Sequence, residues 1–137
     1  MFTGRCLCGA VQYRSSGPAL FCVVCHCRDC QRASGSGGVP VLGVGRATFA
    51  CSGPVRQSRT PGGSGQAAVR NFCAECGSML FGTPEFAPGM VTIYAGSLDE
   101  PGAFAPTDAL FTRDRPAWAT LRGALVEHAT LPQGESR

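Results

Sequence analysis

The chain has 137 residues, 44% of them hydrophobic and 15% charged, and its 12 basic and 9 acidic groups leave a net charge of +3. That length makes one domain, with a core small enough for metal staples to matter. So slight a positive surplus, scattered along the chain and carried by arginine alone, excludes the electrostatic footprint of a nucleic-acid binder.

No apolar run approaches a membrane span, so no membrane partner is expected. The N-terminus lacks the charged, then apolar, then small-residue order of an export signal, which sets the cytosol as the expected location. Nine cysteines, an odd number with Cys-x-Cys and Cys-x2-Cys spacings, then point to reduced thiolates on metal rather than to a disulfide scaffold.

In chain order, the first feature is the thiol pair Cys6-Leu7-Cys8 with Gly9 behind it. Residues 10–14 alternate apolar and polar as a half-buried strand does, and Ser15-Ser16-Gly17-Pro18 ends it. Residues 20–24 form a second, apolar strand that runs into Cys22-Val23-Val24-Cys25-His26-Cys27-Arg28-Asp29-Cys30, a stretch holding four thiols and an imidazole. A short helix is expected between Asp29, as its cap, and Ser34. The loop Gly35-Ser36-Gly37-Gly38 after it is either a plain connector or a wall where backbone approaches a small substrate.

Strands are expected at residues 39–44, 47–50 and 55–59. Residues 60–65 are loop-like and read as a long hairpin end, since the thiol pairs need partners from both sides of it. Residues 67–72 and 78–81 form a hairpin whose tip carries Cys73-Ala74-Glu75-Cys76-Gly77, and 90–94 form a further strand after a turn at 85–89. Residues 101–108 read as irregular. Beyond Trp118, Leu121, Leu125 and His128 stand at helical spacing, interrupted by Gly123.

Zinc takes four ligands in a compact tetrahedron, and a close pair of thiolates supplies half of one. One pair from each half of the chain, Cys6 and Cys8 with Cys73 and Cys76, completes a structural site that glycines let the chain turn beneath. Cys25, Cys27 and Cys30 offer three ligands, the usual form of a catalytic zinc site with one open position. The same stretch also contains Cys22-x2-Cys25 and Cys27-x2-Cys30, two zinc-knuckle pairs that would close the site with four thiolates; Cys22 instead reads as core if its strand alternates.

The motifs Gly4-Arg5-Cys6-x-Cys8-Gly9-x-Val11, Cys25-His26-Cys27-x2-Cys30-x2-Ala33-Ser34-Gly35 and Arg70-x-Phe72-Cys73-x2-Cys76-Gly77-Ser78-x-Leu80, followed by Trp118, resemble the glutathione-dependent formaldehyde-activating (CENP-V/GFA) family. The resemblance implies an all-β, Mss4-like fold over residues 1–120 with two zinc ions, followed by a tail at 121–137. It implies carbon–sulfur lyase chemistry, the reversible addition of a glutathione-like thiol to formaldehyde or a related small aldehyde. By the same analogy Cys6, Cys8, Cys73 and Cys76 hold the structural ion, and Cys25, Cys27 and Cys30 the catalytic one. The chain departs from the family pattern at Ala109-Leu110-Phe111, where relatives commonly carry a histidine.

The reading from a different class is a non-enzymatic zinc module for a protein or nucleic-acid partner, which Cys22 as fourth ligand would favour. His26, between two ligands, should turn its ring away from the ion or support the thiolates by hydrogen bonding. Arg28, Arg32, Arg70, Arg113 and Arg115 are solvated surface groups by default, though each suits a carboxylate. Trp118 is expected in the core or at a pocket wall, Cys51 as a buried spare thiol, and His128 at the surface.

Overall fold

The computed structural model of the protein describes residues 1–132. Eleven strands and one α-helix follow in order: β1 (Phe2–Arg5), β2 (Gln12–Ser15), β3 (Phe21–Cys25), α1 (Arg28–Ser34), β4 (Val39–Gly45), β5 (Phe49–Ser52), β6 (Val55–Pro61), β7 (Ala67–Cys73), β8 (Met79–Gly82), β9 (Met90–Tyr94), β10 (Asp108–Leu110) and β11 (Val126–Glu127). The chain is mainly β, as expected, with short 3-10 turns at Arg46–Thr48, Ala95–Ser97, Pro101–Ala103 and Thr112–Asp114. No helix among the described residues is long and apolar enough to cross a membrane.

Two sheets result. β1, β2 and β5 form a small antiparallel one; the other has the order β11-β10-β3-β4-β9-β8-β7-β6, antiparallel except where β10 runs parallel to β3 and to β11. Strict alternation gives the large sheet two different faces. Leu42 and Val44 of β4, Phe81 of β8, and Val91 and Ile93 of β9 pack with Val11 and Tyr13 toward the small sheet, where Phe49 lies 4.8 Å from Phe81 centroid to centroid. Their neighbours of opposite parity, Val39 and Val41 with Phe21, Val23, Tyr94 and Leu110, form a second apolar cluster on the other face, and Cys30 of α1 packs into it.

Several expectations are corrected here. β1 was not expected; it pairs with β2 from Phe2↔Ser15 to Arg5↔Gln12, and Gly4 is buried so close to Tyr13 that an added Cβ would stand 2.1 Å from the phenolic oxygen. Helical spacing in the tail does not produce a helix: β11 extends the sheet instead, because the N–H groups of Val126 and His128 bond the carbonyls of Thr107 and Ala109. The end of the 121–137 tail lies outside the described residues. Asp29 does not cap α1; the cap is Cys27, whose Sγ accepts from the Cys30 N–H at 3.3 Å.

Candidate metal centres

At the first site, Gly9 (φ +80°) and Gly77 (φ +78°) adopt the left-handed conformation that the knuckle turns require, a conformation costly for any residue with a Cβ. The turns bring together thiols 65 residues apart: Cys8 Sγ lies 3.6 Å from Cys6 Sγ and 3.8 Å from Cys73 Sγ, and Cys76 completes a group whose ligand atoms all fall within 4.8 Å. A tetrahedron with zinc–sulfur bonds of about 2.3 Å has sulfur–sulfur edges of roughly 3.8 Å, so this set fits a four-thiolate ion. Backbone N–H groups surround it: Val11 donates to Cys6 Sγ at 3.3 Å, and Glu75 and Cys76 donate to Cys73 Sγ at 3.4 and 3.5 Å. Ser78, with Oγ 3.1 Å from Cys76 Sγ, holds that thiol down at about 5, on the thiolate side of neutrality.

The second group is Cys25, Cys27 and Cys30, again within 4.8 Å of one another. β3 ends at Cys25, Cys27 begins the helix and Cys30 lies one turn into it, so a strand-to-helix corner sets all three. Gln31 fixes that corner by donating from Nε2 to the carbonyls of His26 (2.7 Å) and Asp114 (2.9 Å). Crowded sulfurs divide the charge unevenly. Cys27 and then Cys30, followed by burial, raise the Cys25 thiol far above its ordinary value, while Cys25 and Cys30 hold Cys27 far below its own, with Arg70 adding to the effect. Three sulfurs this close disfavour three negative charges together, and a divalent cation is the group that would hold all three as thiolates.

Cys22 takes no part in this cluster. It pairs with Leu42 across β3 and β4 and packs with the core that Leu42 belongs to, on the opposite face from Cys25. All nine cysteines are free of disulfides.

His26 is buried between the two ligands, with its ring turned to the loop after α1: Nδ1 lies 2.8 Å from the Gly37 carbonyl. Nε2 has no partner among the described residues. Ala109 is fully buried in β10. Trp118 is not in the core; it is 73% exposed, because residues 116–125 run outside the sheets before β11 rejoins them, and the indole only crosses the outside of Gly37. Cys51 is also exposed, since β5 is an outer strand of the small sheet. His128 is half-buried rather than superficial, with Nε2 2.7 Å from Asp108 Oδ2.

The three-thiol group forms part of the wall of a cavity of about 220 Å³. Its floor is the second face of the large sheet, and it includes one residue that sequence reasoning named only as a surface group suited to a carboxylate and one that it did not single out. Arg70, expected at the surface, is buried on β7 opposite Gly82, bonded through Nη1 to Thr60 Oγ1 at 3.0 Å and paired with no carboxylate among the described residues. Tyr94 is the other; burial first, opposed by the charge of Arg70, leaves its phenol raised to about 12, so it stays protonated. The inward parity of Arg70 follows from the register of β7, which single-sequence periodicity does not reveal.

Comparison with known proteins agrees with this geometry. A crystal structure of a Rhodobacter sphaeroides protein superposes with a TM-score of 0.54 at 18% identity, covering 71% of this chain and 87% of that one, a likeness of fold alone. No curated protein sequence matches. The sequence pattern of the family described as glutathione-dependent formaldehyde-activating enzyme matches residues 1–114. With that pattern running through both thiol groups and most of the chain, the protein belongs to the glutathione-dependent formaldehyde-activating enzyme family.

Proposed function

We propose that the protein is a zinc-dependent carbon–sulfur lyase that adds a thiol reversibly to formaldehyde or a related small aldehyde, with Cys25, Cys27 and Cys30 as its catalytic centre. The observation that carries this reading is the incomplete donor set: three thiols meet at the wall of a cavity while Cys22, the candidate fourth ligand, packs into the core on the other face of β3. Cys6, Cys8, Cys73 and Cys76, with four donors, hold the structural ion in this reading.

An ion at the three-thiol group supplies deprotonation of a coordinating thiol near neutral pH, while three thiolates keep it a weak Lewis acid. The protein's own groups do the rest. The cavity removes the reacting sulfur and carbonyl from bulk water and sets their approach. In the addition, the sulfur–carbon bond forms, the carbonyl π bond breaks, and the proton that left the thiol ends on the new hydroxyl oxygen; cleavage runs the same steps backwards. Tyr94, kept protonated by burial, is the O–H donor on the cavity wall for the oxygen as its charge develops.

The test is metal counting together with formaldehyde consumption in the presence of thiols. The intact protein should bind two zinc ions per chain and accelerate the addition. Cys25→Ser should lose one ion and the activity while staying folded; full activity without the second ion would overturn the assignment.

A further inference from the structure

The cavity says more about the substrate than the thiols do. Across its floor run, in register, Arg70 of β7, Gly82 of β8 and Thr92 of β9, continued by Phe21 of β3, whose ring lies over Gly43 of β4. The two glycines let side chains of the neighbouring strands lie flat on the sheet: a Cβ on Gly82 would stand 2.3 Å from Thr92 Oγ1, and one on Gly43 would stand 2.5 Å from the Phe21 ring. Walls of valine, phenylalanine, methionine and leucine make the space apolar. Phe111 closes one side. It is the one non-glycine residue among the described residues with a positive φ (+54°), and its ring lies against the 60–66 loop, where a Cβ on Gly63 would meet it at 3.1 Å. Backbone held in that region is a cost that cavities and ligand clamps characteristically carry.

Charge in this space is sparse. Arg70 is 9% exposed and has four of its five N–H groups left after the bond to Thr60. Apart from the sulfurs of Cys25, Cys27 and Cys30, where Arg70 also favours negative charge on Cys27 and Cys30, the other charged residue on the lining is Asp29, which is exposed at the rim and has the wrong sign for a carboxylate. A buried guanidinium without a carboxylate calls for an anion. Glutathione brings two carboxylates and an ammonium, and this cavity has a cationic partner for only one of those carboxylates.

We propose that the thiol accepted here is a compact apolar acid, an aryl or branched alkyl thiol bearing a single carboxylate, which sits on Arg70 while its apolar body rests against Phe21, Val41 and Phe111 and its sulfur reaches Cys25, Cys27 and Cys30. This rests on the thiol-addition reading above and narrows it. Arg70 is then a specificity residue, and the apolar walls disfavour the second carboxylate and the ammonium of a tripeptide.

The experiment compares 2-mercapto-3-phenylpropanoate, its carboxamide and glutathione as thiols for formaldehyde addition by the zinc-loaded protein, with Arg70→Met and Arg70→Lys beside the wild type. Calorimetric binding of 3-phenylpropanoate, which has no sulfur, is measured in parallel against S-methylglutathione. The acid should show a kcat/KM at least about tenfold above both its amide and glutathione, since a charge-assisted hydrogen bond to a buried group is worth about that ratio or more. Arg70→Met should raise KM for the acid at least about tenfold more than for the amide, Arg70→Lys should recover part of the loss, and 3-phenylpropanoate should bind more tightly than S-methylglutathione.

Equal effects of Arg70→Met on acid and amide would mean that the guanidinium only balances the thiolates, and would overturn the proposal. Glutathione turned over as well as the acid would overturn it while leaving the lyase reading intact. If no thiol is turned over, the lyase reading fails and the proposal with it. The wild-type comparison of acid with amide holds even if a variant does not fold.

Discussion

His26 and Gly37 are joined by a hydrogen bond of 2.8 Å between the imidazole Nδ1 and the backbone carbonyl, across the corner that carries Cys25, Cys27 and Cys30. With Gly37 O as acceptor, Nδ1 carries the proton, and the ring becomes a peg that fastens the thiol-bearing segment to the glycine-rich loop. Removing the ring therefore does two things: it opens a cavity and leaves a buried carbonyl unpaired. His26→Ala should destabilise the protein by about 2 to 4 kcal/mol in denaturant unfolding.

Gly38 lies against the same peg. A Cβ there would stand 2.6 Å from His26 Nδ1 and 3.1 Å from Val24 Cγ1, and the buried ring has no room to retreat. Gly38→Ala should cost about 1 to 3 kcal/mol, and the double variant with His26→Ala should cost less than the sum of the two, since the truncated side chain no longer opposes the new methyl. Strict additivity in the double-mutant cycle would contradict the contact.

The two thiol groups should respond differently to loss of a ligand. Cys73 is fully buried and ties β7 to the N-terminal knuckle, so Cys73→Ser removes a cross-link that a bound ion makes worth on the order of 10 kcal/mol, and the chain should lose its near-ultraviolet dichroism. Cys25→Ser touches a corner already pinned by Gln31 and His26, and should cost one metal equivalent with the dichroism retained.

Acid should loosen the attachment of β11. Thr107 and His128 both hydrogen-bond the Asp108 carboxylate and hold it below its ordinary value of 3.8. A depressed carboxylate contributes stability above its unfolded value and loses it as pH falls through the folded one. Wild type should therefore exceed Asp108→Asn by about 0.5 kcal/mol near neutral pH, as expected of a partly exposed pair, and the gap should close below pH 3.8. A gap that stays constant down to pH 2 would rule the pair out as its source.

Trp118, the single tryptophan, is largely solvent-exposed. Trp118→Ala should change stability by less than about 1 kcal/mol, and the native fluorescence of the intact protein should be readily quenched by iodide.

Much of the fold was legible because its signals are local. The thiol pairs followed by Gly9 and Gly77 announce knuckle turns, and the alternation around Val41 and Val91 announces strands. Alternation offered the core for Cys22, with Phe21 and Val23 on the other face, but it left the zinc-knuckle pairing with Cys25 open until the register of β3 on β4 was seen. What stayed hidden depends on pairing between distant segments. β1 is only four residues, with Gly4 as its buried member, and β11 is two residues that exist because β10 offers them carbonyls. Arg70 looks like any strand arginine until the register sets it opposite Gly82, and Trp118 looks like core until residues 116–125 are seen to run outside the sheets.

The separation between Cys8 and Cys73 bears on how the chain is made. Those thiols are 65 positions apart, whereas Cys25 and Cys30 belong to one corner. On a ribosome the inner trio emerges early and can capture a cation while the opening knuckle still trails unmatched, waiting for the β7–β8 turn to be translated. Scarce metal during synthesis would thus strand nascent chains with their first thiols uncommitted, open to oxidation until the late half arrives.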